Sequence, residues 1–194
     1  MKILKISTLF FLSVLIGGVM SCSSDDDDNG SANAFTFDGI SYTMVDGVVE
    51  DYGASAPSIS GGDDSHYNFD FTISDDVMTP SGAYFGSETT FAVYVELFAP
   101  STTEFQTGTF NYMDGETSDA LDINGQFFFS AAEVIVVSGV VDGSVNGTEY
   151  QVTGGSVTVS GSSATSYIVE YDLNIAGGKT LTGTYSAGFQ FITN

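Results

Sequence analysis

His66-Tyr67-Asn68-Phe69-Asp70-Phe71-Thr72-Ile73 is the stretch that sets the fold class of this chain. Apolar and polar residues alternate along it with a period of two, which is typical of a β-strand with one face on a core. The apolar face carries Tyr67, Phe69, Phe71 and Ile73. The other face carries His66, Asn68, Asp70 and Thr72.

Two further stretches also have residue patterns that are typical of a β-strand. Ser166–Ile175 alternates in the same way, with Glu170 and Asp172 on its polar face. Phe91–Phe98 is apolar on both faces except at Glu96. A strand that is apolar on both faces is buried on both, so we predict a central position for it.

The remaining strands are predicted from short β-branched and aromatic runs bounded by Gly, Asp, Asn and Ser. They are Phe35–Phe37, Ile40–Met44, Val48–Tyr52 after a turn at Asp46-Gly47, Glu104–Met113, two strands within Phe127–Val141, Thr148–Thr153, Ser156–Ser160, Thr180–Ser186 and Phe189–Ile192. Ala54–Ser65 is predicted to be a loop.

Pairs of turn residues connect several of these strands. Asp38-Gly39 suits a two-residue hairpin turn, and Gly154-Gly155 and Gly177-Gly178 are short enough for hairpins. Roughly ten strands at hairpin spacing predict an all-β fold. We expect a single antiparallel β-sandwich, or a flattened or closed β-barrel, over residues 34–194.

The amino-terminal residues predict export rather than structure. Lys2 and Lys5 precede an apolar run from Ile6 to Met20, which is shorter than the roughly 20 residues of a spanning helix. Residues 1–21 therefore fit a signal peptide. Cys22, the only cysteine, follows directly.

Ser21-Cys22-Ser23-Ser24 running into Asp25–Asp28 resembles the surface lipoproteins of Bacteroidetes, especially flavobacteria, although Val19-Met20-Ser21-Cys22 lacks the usual Leu at the start of a lipobox. The resemblance implies a lipid on Cys22, a cell-envelope location and display on the outer face of the outer membrane. Residues 22–33, rich in Ser and Asp, are expected to form a disordered tether. Segments such as Phe35–Tyr42 and Thr148–Ser160 are similar to β-rich lipoproteins of the same bacteria, and that likeness supplies no functional residues.

The net charge of the chain disfavours several classes of binding partner. Without residues 1–21 the chain has 173 residues, 25 acidic side chains and Lys179 as its only basic one, a net charge of −24. Such a chain repels nucleic acids and anionic lipid headgroups, so contact with a membrane is expected through the anchor alone. Phosphoryl and sugar-acid ligands need cationic partners that it lacks.

No catalytic or cofactor-binding residue is assigned from the sequence. His66 is the only histidine and is expected to be exposed and inert, since a catalytic base needs a positioned nucleophile. Two carboxylates suffice for glycoside hydrolysis, but nothing in the sequence marks one pair among the 25 acids.

Calcium is the cofactor that the composition allows, since Ca²⁺ takes oxygen ligands. Two acidic clusters are candidates: Asp114, Glu116, Asp119 and Asp122 in one loop, and Asp142, Asn146 and Glu149 near another. Neither completes a known ligand loop, so solvated acidic turns are the simpler interpretation.

The sequence therefore predicts a lipid-anchored β-domain that acts as a non-enzymatic binding or structural module. One alternative is a lipocalin-like barrel for a small apolar ligand. Another is a carboxylate-dependent glycoside hydrolase. A glycan is a candidate partner because Tyr42, Tyr52, Tyr84 and Tyr112 lie near predicted loops or strand ends, and a protein partner and the oligomeric state are left open.

Overall fold

The computed structural model of the protein describes residues 33–57, 63–79, 84–115 and 123–194. Within these ranges the regular structure is β-strand, apart from one 3₁₀ turn at Ala164–Ser166. The all-β prediction is confirmed. The predicted signal peptide, Cys22 and the tether up to residue 32 lie outside the described residues.

Fourteen strands make up the described part of the chain. They are β1 (Ala34–Phe37), β2 (Ile40–Thr43), β3 (Asp46–Ser55), β4 (His66–Ser74), β5 (Met78–Thr79), β6 (Tyr84–Phe85), β7 (Phe91–Ala99), β8 (Gly108–Tyr112), β9 (Phe128–Phe129), β10 (Ala132–Val141), β11 (Ser144–Ser160), β12 (Ile168–Ile175), β13 (Lys179–Tyr185) and β14 (Gln190–Thr193). In the same ranges no helix has the length and apolar character needed to cross a bilayer.

Twelve of these strands belong to one sheet, and β5 and β6 pair separately. The order is β14-β3-β4-β7-β9-β8-β11-β12-β13-β1-β2, with β10 between β7 and β11. Neighbours are antiparallel except for β14 with β3 and β8 with β9, which are parallel. The sheet is therefore mixed, although most of its ladders are antiparallel as predicted.

The sheet curves over itself around one aromatic core. Phe37 of β1 and Tyr42 of β2 reach Phe91 of β7, with ring centroids 5.9 and 4.0 Å apart. Tyr167, just before β12, meets Phe71 of β4 at 6.0 Å. Since these strands are distant in the sheet order, the contacts require the two halves of the sheet to face each other across a shared core.

Several local predictions are confirmed. Asp38-Gly39 forms the β1–β2 turn with φ of 51° and 81°, the positive values that a type I′ hairpin needs. β7 lies centrally between β4 and β10. Along β12 the residues alternate between exposed and buried as the pattern predicts.

Other local predictions are wrong. The strand predicted from Glu104 begins only at Gly108, and β3 begins at Asp46, where a turn was expected. β3 also runs on to Ser55, into the predicted loop. Gly154-Gly155 lies inside the 17-residue β11, where both glycines pair with β12, rather than in a hairpin turn.

Candidate functional site: a row of carboxylates on the outer face of the sheet

Three carboxylates lie in register across three neighbouring strands. Glu50 of β3 is paired with Asp70 of β4, and Asp70 is paired with Glu96 of β7. Directly opposed residues of antiparallel strands project to the same face of the sheet. On β4 that face is opposite the one that carries Phe69 and Phe71 into the core, so the row lies on the outside of the sheet.

Backbone hydrogen bonds give the spacing of the row. The Glu96 N–H donates to the carbonyl of Ala131, away from β4, so Asp70 and Glu96 form a non-hydrogen-bonded pair with Cα atoms about 4.5 Å apart. The carbonyl of Asp51 points away from β4, since it accepts from the N–H of Asn194 at 3.1 Å. Successive residues of a strand direct their backbone groups to opposite sides, so the N–H and carbonyl of Glu50 point toward β4. Glu50 and Asp70 are therefore a hydrogen-bonded pair with a spacing of about 5.5 Å.

Asp70 is held in place by two donors. The Tyr94 hydroxyl donates to Oδ2 at 2.8 Å, and the Asn68 amide donates to Oδ1 at 3.3 Å. The same amide is 3.4 Å from the carbonyl oxygen of Leu97. Asp70 is only 8% exposed, so its carboxylate has a fixed position at the centre of the row.

Burial and repulsion between like charges disfavour ionisation of Asp70 and Glu96. Burial, and then the negative charge of Asp70, raise the pKa of Glu96 to about 7. Burial also raises the pKa of Asp70, against the opposing effect of its hydrogen bonds from Tyr94 and Asn68, while Glu50 raises it further. At neutral pH, therefore, the three carboxyl groups do not all carry a full charge.

No basic side chain of the described chain neutralises the row. Lys179 is the only Lys or Arg after Lys5, and it is bound to Asp38. Its ammonium also lies 5.8 and 5.7 Å from the ring centroids of Phe37 and Tyr150. The one cation of the domain is therefore engaged elsewhere.

Tyrosine and threonine side chains complete the surroundings of the row. Tyr52 is 47% exposed. Burial and then the charges of Glu50, Asp70 and Glu96 raise its pKa, so its hydroxyl lies within electrostatic range of all three. Thr72, on the same face of β4 as Asp70, is 7% exposed. We call the surface formed by Glu50, Tyr52, Asp70, Thr72, Tyr94 and Glu96 the acidic recess.

His66 closes one end of the acidic recess and is not the exposed residue that the sequence predicted. It is fully buried. Its Nε2 donates to the carbonyl of Gln126 at 3.2 Å, Nδ1 is 2.9 Å from the Ser65 hydroxyl, and its ring packs edge-on against Phe128. Burial lowers its pKa. His66 thus fastens the segment before β9 onto the outer face of β4.

Of the two predicted calcium clusters, the one at Asp142, Asn146 and Glu149 does not assemble. Asp142 forms the β10–β11 turn with φ of 50°, whereas Asn146 and Glu149 lie three residues apart on β11 and so point to opposite faces. Glu116, Asp119 and Asp122 lie outside the described residues, so calcium binding at that loop stays a prediction. Within the described ranges, no group of three or more His, Cys, Asp or Glu side chains has the arrangement of a metal site.

The four candidate tyrosines separate into different environments. Tyr42 stacks on Phe91 in the core, and Tyr112 packs against Phe129 with centroids 5.6 Å apart. Tyr84 lies in β6. Of the three whose side chains are described, only Tyr52 joins the acidic recess, so Tyr42, Tyr52 and Tyr112 do not form one aromatic platform for a glycan.

The sequence carried a partial signal for the acidic recess. Glu96 is the one charged residue in an otherwise apolar strand, and Asp70 lies on the polar face of the alternating stretch. What the sequence does not reveal is the register that brings Glu50, Asp70 and Glu96 together, since the three residues are 20 and 26 positions apart.

Neither a family model, nor a curated protein, nor a solved structure matches this chain.

Proposed function

We propose that this protein is a lipid-anchored, non-enzymatic binding module of the bacterial cell surface, and that its acidic recess binds a positively charged group. The observation that carries the proposal is the in-register row of Glu50, Asp70 and Glu96 without a basic partner in the described chain. Like charges directly opposite each other destabilise a sheet. A cation supplied by a ligand would offset that repulsion.

The arrangement of the acidic recess favours an organic cation over a metal ion. The carboxylates are spread over about 10 Å across three strands, and they do not converge as metal ligands. Tyr52 and Tyr94 flank them, and aromatic faces attract ammonium and guanidinium groups. A guanidinium group also matches carboxylates through its planar set of N–H donors.

The described core supports a binding function on the outside of the sheet. Large, fully buried side chains fill the interior, among them Phe35, Phe71, Phe110 and Tyr185. A lipocalin-like function needs interior space for its ligand. The outer face, with its uncompensated charge, is therefore the better-supported place for a ligand.

A binding measurement with a matched control tests the proposal. The mature chain with Cys22→Ser, which removes the lipid acceptor, is titrated with tetra-arginine at pH 8 and 0.15 M salt. The triple variant E50Q/D70N/E96Q is expected to weaken binding at least ~10-fold, the order of magnitude of losing desolvated charge pairs. The control E149Q/E170Q/D172N removes three exposed carboxylates of β11 and β12 and is expected to change the affinity by less than ~2-fold.

Equal losses in the two triple variants would show that tetra-arginine responds only to the net charge of the protein, and would contradict the assignment of the acidic recess. Circular dichroism spectra of both variants establish that each keeps its β-structure before the affinities are compared.

The anchor has its own test. Full-length protein expressed in a flavobacterium is expected to incorporate a fatty-acid label and to be digested by protease added to intact cells. Cys22→Ser is expected to lose the label and to leave the membrane fraction, since more than one acyl chain is what makes such anchoring stable. Retention of the variant in the membrane would contradict lipidation at Cys22.

Asp70 and Glu96 also favour a second candidate, a carboxylate-dependent glycoside hydrolase. Retaining glycosidases hold two carboxyl groups about 5–5.5 Å apart, one of them with a raised pKa. A non-hydrogen-bonded pair brings its side chains to about that distance, and the pKa of Glu96 is about 7. Hydrolysis would be supported if the parent chain releases reducing sugar from neutral polysaccharides and both D70N and E96Q do not. Equal release by the parent chain and these variants would contradict it.

A further inference from the structure

We propose that Asp70 and Glu96 hold one proton between them at neutral pH, and that a guanidinium group entering the acidic recess displaces this proton. Binding would then be tighter at high pH than at low pH. This inference rests on the proposed function, because it adds a proton-release step to the binding of a cation at the same place. The guanidinium cation replaces one positive charge by another, and the released proton passes to the buffer.

The side chains around the pair provide no other way to neutralise it. Glu50 and Tyr52 approach from β3, and Asn68 lies on the same face of β4. From β10, Glu133 is opposite Tyr94 and accepts a hydrogen bond from the Gln151 amide at 3.1 Å. None of these groups is a cation, so a proton or a ligand must offset the repulsion within the closest pair.

The hydrogen bonds indicate where the proton resides. Tyr94 and Asn68 both donate to Asp70, and donors favour the ionised form of a carboxyl group. Glu96 has no such donor among the described residues. The proton is therefore expected on Glu96, in agreement with the pKa of about 7 that burial and Asp70 give it.

A second observation points to a ligand that donates hydrogen bonds. Thr72 is more than nine-tenths buried, on the outer face of β4 next to Asp70 and opposite Tyr94. Its hydroxyl has no hydrogen-bond partner among the described residues. Since Tyr171 has the only fully enclosed side-chain oxygen without a partner in these residues, the Thr72 hydroxyl is open to the outer surface. A guanidinium group, with five N–H donors, can bond this hydroxyl and the carboxylates together.

Isothermal titration calorimetry in two buffers with different ionisation enthalpies measures the proposed step. The mature Cys22→Ser chain is titrated with tetra-arginine between pH 6 and pH 8.5. A pKa near 7 predicts release of nearly one proton at pH 6 and of almost none at pH 8.5. The affinity is expected to rise about 10-fold between pH 6 and pH 8 and then to level off.

E96Q provides the decisive variant, because Gln cannot carry the proton. It is expected to bind at pH 6 without releasing a proton and to lose most of the pH dependence. E170Q, an exposed carboxylate on β12, serves as the control and is expected to behave as the parent chain. Tetra-lysine has the same charge without the planar donors and is expected to bind more weakly, whereas equal affinity for the two peptides would overturn the assignment of a guanidinium ligand.

The outcomes separate the two proposals. If binding depends on the acidic recess but neither its affinity nor the number of protons released changes with pH, the shared proton is contradicted. The proposed binding function then still stands. If E50Q/D70N/E96Q and the control E149Q/E170Q/D172N weaken binding equally, both the binding site and the shared proton are contradicted.

Discussion

Glu96 is the residue whose chemistry is most altered by the fold. Its pKa is raised from 4.5 to about 7, so between these values the folded protein retains a proton that the unfolded chain has lost. The contribution of Glu96 to stability is therefore fully present below pH 4.5 and is lost as the pH rises through 7. Ionisation of this one side chain makes the folded state less stable in neutral and alkaline solution.

Glu96→Gln is expected to stabilise the protein at pH 8 by ~1–2 kcal/mol, a value reduced from the full linkage because the side chain is partly exposed. The gain is expected to vanish near pH 4, where both states of the parent protein are protonated. Urea denaturation of the two proteins across this pH range measures the difference. A constant difference at all pH values would show that Glu96 titrates normally.

Single residues also show where a sequence argument ends. The alternation at 66–73 correctly places Phe69 and Phe71 in the core. It assigns His66 to the polar face, yet it cannot show that the segment before β9 folds over that face and buries it. Burial of His66 is decided by a contact with residues about 60 positions away, which no local pattern contains.

At the scale of one element, β11 depends on a glycine that lies close to the next strand. Gly155 has φ of +100°, and a Cβ atom there would lie 2.1 Å from the carbonyl oxygen of Asp172 on β12. The 17-residue strand pairs with β10 along its first half and with β12 along its second, and its register shifts between Val152 and Gly154, just before this glycine. Paired glycines serve hairpin turns and also occur in strands where another backbone approaches closely, which is why the sequence alone predicted a turn at this position.

Gly155→Val is expected to destabilise the protein by more than ~2 kcal/mol, since it adds a side chain at a positive φ and against a backbone oxygen. Gly139→Ala is the control, because a Cβ at Gly139 meets no atom within 4 Å, and a change below ~1 kcal/mol is expected. Thermal unfolding of both variants provides the comparison. Similar melting temperatures for G155V and the parent protein would contradict the close approach of Gly155 to the backbone of Asp172.

At the scale of the whole molecule, uncompensated negative charge is expected to lower the stability of the fold. Residues 22–194 contain 25 acidic side chains and one lysine, and self-repulsion of this kind destabilises a compact state. The composition predicted this charge in full, and the alternation of apolar and polar residues along short segments predicted the all-β fold class. The acidic recess also requires the strand register, which composition does not contain.

Screening of this repulsion is expected to raise the melting temperature. An increase from about 0.02 to 0.5 M NaCl shortens the Debye length several-fold, and a gain of ~1–2 kcal/mol corresponds to ~3–6 °C for a domain of this size. The same salt series at pH 4 is expected to give a smaller rise, because many carboxyl groups are then protonated. A melting temperature that falls with salt at pH 8 would indicate net attractive electrostatics.

The central claim is that the acidic recess on β3, β4 and β7 is the binding surface of the protein. Amide chemical shifts of the ¹⁵N-labelled mature chain, followed during titration with tetra-arginine at pH 8, test the claim residue by residue. The largest changes are expected at Glu50, Asp70 and Glu96 and their strand neighbours, with saturation at a single affinity. Changes that are larger around Glu170 and Asp172, or that spread evenly over the acidic surface without saturating, would contradict it.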